Sequence, residues 1–419
     1  MIYGPTVLFA LGEGAVVPLI PIIATQLGAD LAMSGLIASA LVVGQLCGNL
    51  PAGWLVARVG ERLAMASAGT LALAGVAGLV FAPNLALLSL SVFLIGMCAA
   101  AFGLARHAFM TTRAPLSYRA RALSLLGGTF RLGMFIGPFV AALLLGITQS
   151  EASADWCFAV CLVASVLLVL LGPDPETALQ DEDRATVPAA HQIADTGEAV
   201  TGAIKLPALS SETAQPNEGV FRTMVRYRRV LSRLGLAAAS LSAVRSARNV
   251  VLPLWGLSLG LEAQTISLVV GIAGAIDFAL FYASGQVMDR FGRLWAALPA
   301  MLLMGVGFLA LAFTHDLPDA SMWFAMLAAV IGVGNGLSSG ILLTLGADIA
   351  PQHNPAPFLS SWRTLTDAGG ATAPVLFSGI AAISTLGLAT GAMGLIALVC
   401  AVGFWRWVPM FVSRQGRKS

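Results

Sequence analysis

Nine ionisable side chains sit inside long apolar runs of this sequence: Glu13, Arg106, His107, Arg131, Arg245, Arg248, Asp277, Arg363 and Asp367. If those runs lie in lipid, each charge costs about 3 kcal/mol or more, so each should have a task. A carboxyl keeps its proton in a dry cavity and releases it to water or beside a cation. A cavity opening alternately to two sides therefore makes Glu13, Asp277 and Asp367 candidates for proton coupling, with Glu13 foremost. Arg131, Arg245, Arg248 and Arg363, with the uncharged Gln45 and Asn249, are candidate substrate-cavity residues. Five arginines against three acids predict a net positive cavity, suited to a carboxylate, a phosphate or another anionic group. Arg363 and Asp367 are one helical turn apart and are expected to neutralise each other. Arg106 and His107 fall nearer a helix end, from which a long side chain can reach the interface.

Other chemistries find little support. Cys47, Cys98, Cys157, Cys161 and Cys400 all lie in apolar runs, and no Cys or His cluster completes a metal set around Cys157 and Cys161. Gly336-Leu-Ser338-Ser-Gly340 fits the nucleophile-elbow pattern, but it stands within an apolar run with no strand before it and no plausible His partner. Gly305-Val-Gly307-Phe-Leu-Ala310 mimics a dinucleotide fingerprint in an equally wrong setting. No Walker A motif exists: Lys205 precedes Leu206, and Arg417 stands before Lys418 where that motif needs glycine. The chain is read as a non-enzyme without cofactor or metal. A net charge of +2 gives no case for nucleic acid.

The elements that must position these charges follow from composition. Hydrophobic residues make up 58% of the 419 positions and charged residues only 11%, so lipid is the solvent for most of the chain. A bilayer core takes about 20 apolar residues per helix, and backbone groups in lipid must be satisfied internally. Apolar runs predict spans near 6–27, 33–56, 62–82, 86–110, 120–146 and 156–172, then 234–259, 264–288, 295–314, 321–346, 357–383 and 388–410. The first run carries Glu13, lacks a basic leader and is too long for a signal peptide, so it is read as a span. The organisation is a first six-helix half over 1–172, a central segment over 173–233, a second half over 234–410 and a basic tail over 411–419. The central segment begins acidic and without apolar periodicity, which predicts disorder in a cytoplasmic linker. It ends basic and amphipathic from Phe221 to Leu234, as a surface helix or as the flank of the seventh span. Alternate loops separate by charge. Those near 28–32, 83–85, 147–155, 260–263, 315–320 and 384–387 contain no Lys or Arg, whereas Arg58, Arg62, Arg113, Arg119, Arg290 and Arg293 lie on the other side. The positive-inside rule puts both termini and the central segment in the cytoplasm of a cytoplasmic-membrane protein.

The halves repeat. Ile20-Pro21, Leu27-Gly28, Gly53, Arg58 and Gly60 recur as Leu252-Pro253, Leu259-Gly260, Gly285, Arg290 and Gly292, a constant shift of about 232 residues. Ile95-Gly96, Ala114-Pro115 and Pro138 recur as Ile331-Gly332, Ala350-Pro351 and Pro374 after a small indel. In this alignment Glu13 meets Arg245, Gln45 meets Asp277 and Arg131 meets Asp367.

Two motifs carry a family resemblance. Gly285-Gln-Val-Met-Asp289-Arg290-Phe-Gly292-Arg293 resembles the loop signature G-x-x-x-D-R-x-G-R of the major facilitator superfamily. The first-half copy, Gly53-Trp-Leu-Val-Ala57-Arg58-Val-Gly60-Glu61-Arg62, has lost its acid at Ala57 and has Glu61 where a base is usual. Gly133-Met-Phe-Ile-Gly137-Pro138 looks like the G-x-x-x-G-P element of proton-coupled exporters, whereas their span-four R-x-x-Q-G is absent around Val92 to Gly96. The resemblance implies an all-α integral membrane fold of 12 transmembrane helices in two pseudo-symmetric six-helix bundles, with a midplane site and alternating access. It implies a cytoplasmic latch in which Asp289, with Gly285, Arg290, Gly292 and Arg293, meets the start of span five near Arg119 and Arg121, and a weaker counterpart at Arg58 and Gly60. In that fold spans one and seven line the cavity, so Glu13 and Arg245 should face each other across it. Spans five and eight are neighbours, so Arg131 and Asp277 can pair. The function so implied is secondary transport of a small solute by a monomer, first as proton-coupled export of a drug or metabolite. Proton-coupled uptake of an organic anion is the alternative, and a transporter-like sensor is a third.

Overall fold

The computed structural model describes residues 2–113, 119–172, 225–351 and 356–411. Most of the segment read as disordered, 173–224, lies outside those residues, as do 412–419 of the basic tail. In the first half, span one is α1 (Tyr3–Val16), a 3-10 turn (Val17–Leu19) and α2 (Ile20–Gln26). Then come α3 (Leu31–Val59), α4 (Glu61–Val80), α5 (Leu85–Arg113), α6 (Arg119–Thr148) and α7 (Ala152–Leu171). In the second half, α8 (Leu236–Ser258), α9 (Ala263–Phe291) and α10 (Arg293–Leu311) are followed by a tenth span divided into α11 (Ala320–Leu337) and α12 (Ile341–Ile349). The last spans are α13 (Ala356–Ile383) and α14 (Leu386–Phe411).

Among the described residues, ten helical stretches are long and apolar enough to cross a membrane. The two remaining spans, α8 and α13, are those carrying Arg245 with Arg248 and Arg363 with Asp367. Their lower hydropathy has the same cause as their place beside the cavity. Large apolar side chains such as Leu171, Phe313, Leu388 and Val399 stand more than half exposed on the outer surface, as a lipid-facing wall requires.

The two bundles repeat each other's packing. In the first, α1 packs on α6 and α7, α3 on α5, and α4 on α5 and α7. In the second, α8 packs on α13 and α14, α9 on α11, and α10 on α11 and α14. The matched glycines share a backbone state: Gly60 and Gly292 end α3 and α9 at φ +81° and +95°, and Gly28 and Gly260 sit at +90° and +70°. Only glycine enters that region without strain, which accounts for its recurrence at these two turns.

The breaks in spans one and ten depart from the continuous helices the apolar runs predict. Pro18 and Pro21 each remove a helix N–H, and the 3-10 turn absorbs the loss. Span ten breaks at Ser338–Gly340, where Gly340 takes φ +77°. The Gly-Leu-Ser-Ser-Gly run is therefore a helix break inside the bundle. Ser284 Oγ lies 2.7 Å from the Leu337 carbonyl and 2.9 Å from that of Ser339, satisfying groups the break leaves free. The basic segment before span seven forms one turn (Arg228–Val230) and a π-helical turn (Leu231–Gly235) running directly into α8. Leu231 and Leu234 are buried, while Arg228, Arg229 and Arg233 are exposed, which is the arrangement of a helix flank.

The degraded loop motif of the first half has a structural task. Arg62 Nε donates to the Val169 carbonyl at 2.8 Å, and Nη2 donates to those of Leu170 (2.6 Å) and Gly172 (2.8 Å). A cation thus closes the negative C-terminus of α7. Arg62→Ala is expected to lower the melting free energy of the purified protein by about 1–2 kcal/mol, with Arg62→Lys in between. A melt unchanged in both variants would deny the capping role.

Candidate substrate and proton site

The halves close on each other at the end bearing the turns near 28, 149 and 261. There Leu19, Ile22, Leu145 and Ile266 form one buried cluster with Leu257 and Leu261. Gly35 faces Ser378 and Leu254, and Gly146 faces Gln264. Behind this seal a cavity of about 540 Å³ lies between the bundles, a size that accommodates a small organic molecule. It extends toward the opposite end as far as His107 and Arg363, both exposed.

Glu13, Asp277 and Asp367 all line this cavity, as do Arg131, Arg245, Arg248, Arg363, Gln45 and Asn249. Glu13, on α1, is only 4% exposed. Its Oε1 accepts from Gln45 Nε2 at 3.2 Å, and its Oε2 has no partner. The cation whose charge reaches it is Arg106, and here the structure corrects the expectation that Arg106 reaches out to the interface. Arg106 is 8% exposed and its guanidinium lies 4.4 Å from the centre of the Phe130 ring. An aromatic face and a carboxylate inside the protein hold it more strongly than interfacial water would. His107 does point outward, its Nδ1 2.7 Å from the Gly103 carbonyl.

A four-residue network joins the two halves. Arg131 Nη1 lies 3.2 Å from Asp277 Oδ1, joining α6 of one half to α9 of the other. Asn335 Nδ2 donates to Asp277 Oδ2 at 2.7 Å, and Arg245 Nε donates to Asn335 Oδ1 at 3.0 Å. Arg245 also reaches the Ser338 carbonyl at the break of span ten. Glu13 and Arg245 therefore do not form the direct pair expected across the cavity. Each is committed within its own half, Glu13 to Gln45 and Arg245 to Asn335. Asn335 is the member that sequence reasoning missed, because one amide in an apolar helix has no charge to flag it. Its place in the Gly334-Asn-Gly-Leu-Ser-Ser-Gly run, too rich in small residues for a plain helix, was the available clue. Arg363 and Asp367 pair one turn apart at 3.6 Å, and Asn49 Nδ2 from the first half reaches Asp367 at 3.5 Å.

Charge adds up unevenly. Arg106 offsets Glu13 and Arg363 offsets Asp367, whereas Arg131, Arg245 and Arg248 share only Asp277. The surplus is concentrated around Arg248, whose Nη1 is sealed from solvent without a hydrogen-bond partner.

The glycine seams that hold this arrangement are backbone contacts. A Cβ at Gly133 would lie 2.6 Å from the Val7 carbonyl, and one at Gly137 would lie 2.4 Å from that of Leu11. The Gly133–Pro138 element is thus the seam between α6 and α1, and at its echo a Cβ on Gly369 would lie 2.3 Å from the Ala239 carbonyl on α8. Residues 5–374 match the sequence profile of the Major Facilitator Superfamily. The chain belongs to the Major Facilitator Superfamily.

Solved structures of superfamily fold superpose on nearly its whole length. A peptide transporter of the POT type in complex with sulfate has TM-score 0.73 at 16% identity, covering 98% of this chain and 94% of that one. A D-xylose-proton symporter has TM-score 0.72 at 14% identity, covering 100% and 98%. The inward-open xylose transporter XylE from E. coli has TM-score 0.68 at 14% identity, covering 97% and 95%. No curated protein matches the chain.

Asp289, 83% exposed, meets Arg293 at the start of α10 at 3.3 Å, and Arg293 Nε meets Asp348 on α12 at 2.8 Å. These contacts lie within the second half. The expected partners Arg119 and Arg121 have side chains outside the described set. Arg58 lies over Trp54 and Arg290 over Phe291, each on its own helix. Gly53 and Gly285 meet no close neighbour across the motif.

Proposed function

We propose that this superfamily transporter carries a small organic anion into the cell together with protons, as a monomer in the cytoplasmic membrane with both termini inside. One observation carries the reading: three arginines share one aspartate in the cavity between the bundles, and a guanidinium nitrogen of Arg248 is left without a partner. A buried cation without a counter-charge is unfavourable, and an anionic solute supplies what is missing. Glu13 is the carboxyl we assign to proton coupling, with Asp277 and Asp367 committed to arginines. Proton symport is also the activity named for the D-xylose carrier of the same fold. Export of a drug or metabolite is the second reading, prompted by the Gly133–Pro138 element. Close packing of α6 on α1 is sufficient reason for those glycines, so the element does not by itself set a direction.

The test is net accumulation of labelled organic anions and lipophilic cations in expressing cells, with and without a protonophore. Anion levels several-fold above those of control cells, lost on adding protonophore, are expected. Lowered accumulation of any compound would replace uptake by export. Selective handling of cations would remove the anion reading.

A further inference from the structure

A smaller recess adjoins the main cavity, between the halves and beside the break in span one. Arg131, Arg248, Asn249 and Asp277 line both spaces and so stand where they join, two cations to one acid. The rest of the recess is apolar, its walls including Pro138, Leu252 and two phenylalanines. Those two, Phe135 of α6 and Phe278 of α9, come from opposite halves and stack with ring centres 5.6 Å apart at 14°. A cationic mouth with an aromatic floor recognises one kind of molecule: an acid group on a flat apolar body.

Resting on the anion reading above, we propose that the solute is an aromatic monoanion, its acid group held by Arg248 at the junction and its ring seated against Phe135 and Phe278. The acid group has one place to go. Asp277 accepts from Arg131 and from Asn335 and makes no hydrogen bond to the free nitrogen of Arg248. Arg245 is spent on Asn335 and the Ser338 carbonyl. Arg245 does not line the recess, and Arg106, whose Nε is also without a partner, is offset by Glu13, so Arg248 is the cation left open at the junction and calls for one acid group, hence a monoanion. A ring in the recess touches both halves at once, so its binding is felt by the two bodies that must move relative to each other.

Sulfonates test this cleanly, because they stay ionised and do not cross a bilayer as neutral acids. Benzenesulfonate, cyclohexanesulfonate and methanesulfonate would be titrated calorimetrically into the purified full chain in detergent. Benzenesulfonate is expected to bind about tenfold or more tighter than methanesulfonate through burial of the ring. It should exceed the cyclohexyl analogue by about threefold through stacking. Phe278→Leu, which keeps an apolar wall, should erase the preference for benzene over cyclohexane and leave methanesulfonate unchanged. Arg248→Gln should weaken all three by about tenfold or more, with Arg248→Lys in between. If Arg248→Gln does not fold, the wild-type ligand series and Phe278→Leu still decide. Equal affinity for the three sulfonates would overturn the aromatic site while leaving the anion reading in place. Binding insensitive to Arg248→Gln would overturn the head-group assignment. Absence of any sulfonate binding to monodisperse protein would overturn both.

Discussion

Glu13→Gln is expected to abolish gradient-driven accumulation while leaving substrate exchange intact. The three cavity carboxylates differ in what their oxygens already hold. Asp277 has Arg131 on one oxygen and Asn335 on the other, and Asp367, partly exposed, has both Arg363 and Asn49 on Oδ2. Of the three, Glu13 alone keeps a buried oxygen without a hydrogen-bond partner and faces no direct ion pair. A proton that must load and leave needs such an oxygen. Glutamine fills the same space and can still accept from Gln45, so the fold should survive. The magnitude follows from linkage: one pH unit is worth about 1.4 kcal/mol per proton, hence up to about tenfold accumulation for each coupled proton. In proteoliposomes under an imposed pH gradient the variant should fall to about onefold, while counterflow of labelled against unlabelled solute continues. Undiminished accumulation by Glu13→Gln would move the coupling role to Asp367, the less tightly bound of the remaining pair.

Adding a single methyl at Gly96 is expected to prevent normal folding. A Cβ there would stand 2.0 Å from the Leu41 carbonyl oxygen, 2.9 Å from its carbon and 3.1 Å from the Gln45 nitrogen. All three are backbone atoms of α3, which cannot rotate aside as a side chain would, so the two helices must separate along the seam. Overpacking a core costs about 1–3 kcal/mol when side chains can adjust, and here the yielding element is a whole helix. Separation would also shift Gln45, and with it the hydrogen bond to Glu13. Gly137→Ala should behave similarly against Leu11, Gly14 and Ala15 of α1. Gly127→Ala is the control, since nothing lies within 4 Å of its Cβ position, and the substitution should be neutral or slightly stabilising. Fluorescence-detected size exclusion and melting would decide: a Gly96→Ala protein with wild-type yield and melt would show that α3 and α5 are not in backbone contact.

The sequence by itself determined the solvent, the class and the repeat. Apolar runs of membrane length, charges too costly to be accidental and glycines recurring at constant spacing are local features, readable without knowing what touches what. Gly60 and Gly292 illustrate this: a turn that needs positive φ selects glycine wherever it occurs in the chain. The charges at membrane depth were legible as a set for the same reason. Their partners were not, because pairing depends on rotation and offset of helices far apart in the chain. Arg131 and Asp277 meet because α6 and α9 are neighbours in register. Glu13 and Arg245, aligned by the repeat, do not meet, since each found a nearer amide in its own half. Arg106 lies buried beneath Phe130 because the helix turns it inward, which its position near a helix end could not reveal. The recess behind Arg248 exists only where a proline break, two helices and a pair of phenylalanines from separate halves come together. No single stretch of sequence carries that arrangement, because it is a property of the interface between two folded bodies.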